Sequence, residues 1–93
     1  MSVFIDYDLN REGANYSKKD AALRDHIKEK YPTYWAHLDS TFIVVTDLTA
    51  KQVRDDLLPF VDDNDELLVA KLTGEGAWHG FNENGSNWLK KHL

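Results

Sequence analysis

The six-residue run Thr41-Phe42-Ile43-Val44-Val45-Thr46 constrains the fold more than any other stretch of this chain. It is almost wholly β-branched or aromatic, the composition of a strand rather than a helix. Strand side chains alternate between faces, so Thr41, Ile43 and Val45 point one way and Phe42, Val44 and Thr46 the other. Both sets are apolar at their centre. The segment from Glu66 to Thr73 repeats the feature, with Leu67, Leu68, Val69, Ala70 and Leu72 distributed over both faces. A sheet built on such strands needs a cover on each side, and that requirement shapes the reading of everything around it.

The remaining elements fall into order along the chain. Ser2 to Asp8 reads as a first strand, and Asn10 to Tyr16, which contains Gly13, as a polar loop. Ser17 with Asp20 is the expected start of a helix whose apolar stripe is Leu23, Ile27 and Tyr31 and which Pro32 closes. Tyr34 to Leu38 is a short strand, Asp39-Ser40 a turn, and the run from Thr41 its hairpin partner. Thr49 and Gln52 form a second capping box, ahead of Val53, Leu57 and Phe60 or Val61. Pro59 lacks a backbone donor, which predicts a kink or an early end to that helix. An acidic turn at residues 62–65 leads to the fourth strand. Gly74, Gly76 and Gly80 then punctuate a loop around Trp78, and a short terminal helix is expected from Ser86. The order β-α-β-β-α-β predicts an α+β, ferredoxin-like sandwich with both helices on one face of an antiparallel sheet. Residues 1–93 are read as a single domain, with 74–93 as a C-terminal extension and short terminal helix.

Two helices cover one face only. The other is therefore expected to be an association surface, and a twofold dimer, sheet against sheet, is the economical solution. Phe42, Val44, Val69, Lys71 and Trp78 are the residues expected at that interface, with the loop around Trp78 free to add an edge strand to the partner.

Bulk properties narrow the function classes. The chain has 93 residues and no cysteine, which excludes disulfides and thiolate metal sites and permits a reducing cytosol. No signal peptide or membrane-length apolar run is read, and a cytoplasmic protein that does not engage membrane is expected. The formal net charge of -5 gives no general attraction to nucleic acid, so that partner stays an open question.

Within the first strand, Asp6 and Asp8 share a face with Phe4, while Val3, Ile5 and Tyr7 take the other. Two carboxylates on a strand expected to be half buried are candidates for a hard divalent cation such as Mg²⁺ or Mn²⁺. The plainer reading makes Asp8 a cap for the following loop and Asp6 a hydrogen-bonded sheet residue. Lys71 could neutralise carboxylates crowded at a dimer axis. His37 and His79 lack zinc-like spacing. Trp35, Trp78 and Trp88 could stack bases, but in so small a domain they are read as core or interface. The lysines at 18, 19, 28, 30, 90 and 91 and the acidic group at 55, 56, 62, 63, 65 and 66 are read as solvated faces, the latter also as a surface for a basic protein partner.

Two stretches resemble the small CRISPR-associated Cas-two family, closest to its SinR-family and VapD-like relatives. One is Ile5-Asp6-Tyr7-Asp8-Leu9, similar to a hydrophobic strand ending in Tyr-Asp. The other is Leu38-Asp39-Ser40-Thr41-Phe42-Ile43-Val44, similar to a Ser-x-Phe strand. The resemblance implies that Asp8 lies near a dimer axis and binds a divalent metal with its symmetry mate, with Ser40 and Phe42 as the matching serine and phenylalanine. The arginines and glutamine common in that family before the serine are absent here, where the chain reads Ala36-His37-Leu38-Asp39. A homodimeric scaffold or interaction protein of the CRISPR, toxin-antitoxin or mobile-element type is therefore the expectation. The alternatives are a divalent-metal-dependent endonuclease with Asp8 catalytic, and a small-ligand regulatory domain. Whether the chain is an enzyme is left open.

Overall fold

A computed structural model describes residues 1–10 and 16–93. The expected loop of Asn10 to Tyr16 lies largely outside them. The elements are β1 (Ser2–Asp8), α1 (Tyr16–Lys30), β2 (Tyr34–Leu38), β3 (Thr41–Val45), α2 (Ala50–Leu57), a 3-10 turn (Leu58–Phe60), β4 (Glu66–Lys71) and α3 (Glu83–His92). The fold is α+β: among the described residues there is one four-stranded sheet in the order β2-β3-β1-β4, antiparallel at every pairing, with three α-helices.

Local chemistry explains most boundaries. The Thr49 hydroxyl accepts from the Gln52 amide while the Gln52 side chain accepts from the Thr49 amide, the reciprocal box expected at the start of α2. Pro59 ends α2 early, and the chain tightens into the 3-10 turn. The predicted starts of α1 and α3 are both corrected. Ser17 lies inside α1, and its Asp20 bonds Arg24 and the Tyr7 hydroxyl rather than a helix end. α3 begins a turn before Ser86, because the Asn82 side chain accepts from the Gly85 amide at 2.8 Å and caps the helix there.

Register sorts the sheet's two faces. Val3 lies opposite Val44, and Ile5 opposite Phe42 and Val69. These side chains meet Leu23, Ile27, Val53 and Leu57 from α1 and α2 in the main core. Phe4 lies opposite Ile43, and Ile43 opposite Trp35, on the other face. There the chain supplies its own second cover. Leu89 of α3 is buried against Trp35 and Ile43, with Phe4, Leu72, Trp78, Phe81, Trp88 and Leu93 packed around them. Trp35 donates its indole N–H to the Gly85 carbonyl at 3.2 Å, and Trp78 donates to the Ser86 hydroxyl at 3.3 Å.

The interface expectation changes accordingly. Phe42 and Val44 are fully buried beneath α1 and α2, and Val69 packs against that same core. Phe42 and Val44 cannot form an outer face without dismantling the domain, whereas Val69 is half-buried on the edge strand. Lys71 lies opposite Val3 and so leaves β4 on the helix side, away from Asp6 and Asp8. Trp78 folds back onto its own chain, and residues 74–81 carry no strand. No helix among the described residues is long and apolar enough to cross a membrane.

Candidate functional site

The layer formed by α3 covers only part of the second sheet face. Phe4 lies under it, and two residues further along β1 the side chains on that face are Asp6 and then Asp8. Pairing extends this into a row across all four strands: Leu38 opposite Thr41, Thr41 opposite Asp6, and Asp6 opposite Leu68. At the centre of the row the Thr41 hydroxyl donates to the Asp6 carboxylate at 2.8 Å. At its ends Leu38 and Leu68 stand 50% and 58% exposed. Asp6 is therefore the hydrogen-bonded sheet residue of the plainer reading, and the bond accounts for a half-buried carboxylate in mid-strand.

Among the described residues Asp8 has no such bond. It is exposed and lies directly opposite Glu66, the first residue of β4. Like charges placed opposite one another weaken a sheet. Among the described residues neither Asp8 nor Glu66 has an ion-pair partner. Asp6, Asp8 and Glu66 line a cleft of about 310 Å³ with Tyr7, Leu67 and Leu68. Glu66 was visible in the sequence only as one charge of an acidic stretch. Its pairing with Asp8 needs the β1–β4 register, though a carboxylate ending one strand and another opening its antiparallel neighbour is a usable signal. Among the described residues no group of three or more His, Asp or Glu is arranged to hold a metal ion. Asp8 with Glu66 could supply two oxygen donors to a hard cation, leaving further positions to water or phosphate.

Other candidates resolve into structural roles. His37 leans on Trp35 and Phe81 at ring-centroid distances of 5.2 and 6.2 Å. His79 is exposed at a cleft of about 250 Å³ whose walls include Phe4, Trp35, Trp78 and Phe81. Trp35 is 3% exposed and unavailable for stacking a base. Ser40 takes a left-handed φ of 56° in the turn between β2 and β3, and its carbonyl accepts from the Tyr7 amide.

The charged patches are largely internal pairs. Lys19 bridges Asp62 and Asp65 at 2.6 and 2.7 Å. Lys51 and Arg54 both meet Asp55. Asp56 collects His26 at 2.9 Å, Lys30 at 3.1 Å and the Tyr31 hydroxyl at 3.0 Å, binding α1 to α2. Burial opposes the Asp56 charge, but bonds from His26, Lys30 and Tyr31 outweigh it and hold the carboxyl below its ordinary range. Burial, then the bond to Asp56, pushes the Tyr31 phenol up. Burial likewise pushes Tyr7 up to about 12, with Arg24 opposing and Asp20 adding to the shift. The His26–Asp56 contact was missed in the sequence, where its two members stand thirty residues apart. His26 also stacks on Phe60 at 4.5 Å, which makes it a tie between elements.

Comparison with protein-family models and with curated proteins finds no match to this chain.

Proposed function

We propose that this chain is a homodimeric, ferredoxin-like scaffold or interaction protein of the Cas-two type, allied to its SinR-family and VapD-like members and working in the cytoplasm. The strand order and uniform antiparallel pairing support the ferredoxin-like reading. The observation that carries the functional reading is the row Leu38–Thr41–Asp6–Leu68. It ends in two exposed leucines on the part of the sheet that α3 leaves open. Exposed aliphatic side chains on a hydrogen-bonded framework suit association better than chemistry. Sedimentation equilibrium at micromolar concentration tests it: a dimer is expected, and a monomer that persists with rising concentration removes the reading.

The opposition of Asp8 and Glu66 in one cleft favours a second reading, a divalent-metal-dependent endonuclease. Asp8 and Glu66 would hold Mg²⁺ or Mn²⁺, which supplies an activated water and stabilises phosphoryl charge. The chain's own part would be to position the carboxylates on a rigid sheet. Cleavage of DNA or RNA with either metal, compared between wild type, Asp8→Ala and Glu66→Gln, decides it. Undiminished cleavage by Asp8→Ala rules out its role.

A further inference from the structure

We infer that two copies of this chain join along β4, edge to edge and antiparallel, with the two Leu68 side chains meeting on the twofold axis. The inference rests on the homodimer reading above and specifies its surface.

Among the described residues β4 is an edge strand, paired on one side with β1 alone. In an antiparallel ladder, hydrogen-bonded and non-hydrogen-bonded residue pairs alternate. The Leu72 amide donates to the Ser2 carbonyl at 2.9 Å. Stepping by two along the register, Ala70, Leu68 and Glu66 turn their backbone groups toward β1. Leu67, Val69 and Lys71 consequently turn theirs outward. A row of free N–H and C=O groups on an apolar strand is a template for another strand unless something blunts it. The opposite edge is blunted: β2 has an irregularity between Trp35 and Leu38, and α3 packs along it. β4 has neither proline nor bulge, and an open groove lined by Ala50, Lys51, Arg54, Leu67, Leu68 and Val69 runs beside it.

Charge and symmetry identify the occupant as a second copy. Glu66 opens β4 and Lys71 closes it, and among the described residues neither has an ion-pair partner. Lys51 and Arg54, which border the groove, are already matched by Asp55. A parallel neighbour would set acidic end against acidic end. An antiparallel copy sets Lys71 against the acidic stretch at 62–66 of its mate. A twofold axis perpendicular to the sheet requires each residue to pair with one on the same face. The axis through Leu68 meets that condition: Leu68 faces its mate, Leu67 faces Val69, and the outward groups of Leu67 and Val69 bond across the seam. It also buries the more exposed leucine of the carrying row.

This geometry bears on the axial Asp8 pair that the family resemblance implies, and leaves the Asp8–Glu66 pairing within one chain as it is. With strands about 4.8 Å apart and a rise of about 3.4 Å per residue, Asp8 and its mate would stand roughly 20 Å apart. No single cation spans that gap, since its ligand oxygens lie within about 2.6 Å of it. A β4-edge dimer is therefore incompatible with an Asp8 pair sharing one metal.

The chain has no cysteine, so single-cysteine variants report the axis cleanly. Opposed residues of a non-hydrogen-bonded pair lie within disulfide reach, with Cα atoms about 4.5 Å apart. Under mild oxidation Leu68→Cys is expected to form a covalent dimer nearly completely, and Asp8→Cys to stay uncrosslinked. Val69→Pro, which removes an outward donor, and Leu68→Lys are expected to run as monomers in sedimentation with unchanged circular dichroism. A dimer that survives both substitutions, a Leu68→Cys that fails to crosslink, or an Asp8→Cys that does so overturns the β4 seam while leaving the homodimer reading intact. A monomeric wild type overturns both.

Discussion

Asp65 does more for this fold than any other member of the acidic stretch that contains it. Its side chain is buried and accepts from the Asn10 amide at 2.8 Å and the Asp62 amide at 2.7 Å while pairing with Lys19. It therefore fixes the chain after β1, the turn before β4 and α1 at one point. Burial opposes its charge, but Lys19 and the two amides prevail and hold the carboxyl below the ordinary carboxylate range. Because the folded value is depressed, the stabilisation is fully present above the unfolded value of about 4 and disappears as pH falls through the folded value. Asp65→Asn should cost about 1–2 kcal/mol at neutral pH and flatten the loss of stability below about pH 4, measured by urea denaturation across pH. None of this was legible in the sequence, where Asp62 to Glu66 read as one solvated patch, because its partners come from positions 10 and 19. Ser40 is the complementary case. Its φ of 56° is costly for a residue with a Cβ, so Ser40→Gly should raise stability by about 0.5–1 kcal/mol in a thermal melt. A fall instead would mean that the hydroxyl, which the family resemblance singles out, contributes more than the backbone strain costs.

Elements were legible where their signals are local. The box at Thr49 and the stop at Pro59 involve neighbours in sequence, and both stand where the chain predicts them. α3 shows the limit. Ser86 is a good cap by composition, yet its hydroxyl accepts from Trp78 and the capping role passes to Asn82. The choice depends on where the helix must lie to bring Gly85 under Trp35 and His37. A Cβ at Gly85 would sit 3.2 Å from the His37 ring, so this turn of α3 is held close to β2. Asn82→Ala should therefore destabilise the protein by about 1 kcal/mol, the cost of an exposed cap. Ser86→Ala should cost less, since it removes one 3.3 Å bond at the partly buried Trp78. Denaturation monitored by tryptophan emission distinguishes them, and a larger loss from Ser86→Ala would return the cap to Ser86.

At the scale of the molecule, the demand for a cover on both sides of β3 was legible, but the source of the second cover was not. A glycine-punctuated tail offers no periodic stripe long enough to announce a layer, so the second face looked like an intermolecular surface. The chain instead folds Trp78, Phe81 and α3 back over Phe4, Trp35 and Ile43. That leaves the row from Leu38 to Leu68 and the edge of β4 as the apolar parts of the sheet open to a partner. The division makes opposite predictions for two leucines. Leu89 is 3% exposed at the centre of the second cluster, and Leu89→Ala should cost about 2–4 kcal/mol and shift tryptophan emission to the red as Trp35 gains water. Leu68 is 58% exposed, so Leu68→Ala should leave the stability of the subunit within about 0.5 kcal/mol, and any larger effect would be on the association proposed above. Urea denaturation at two protein concentrations tests the pair together. A Leu89→Ala loss that does not vary with concentration assigns α3 to its own subunit, whereas a loss that grows on dilution would mean that α3 is exchanged between copies.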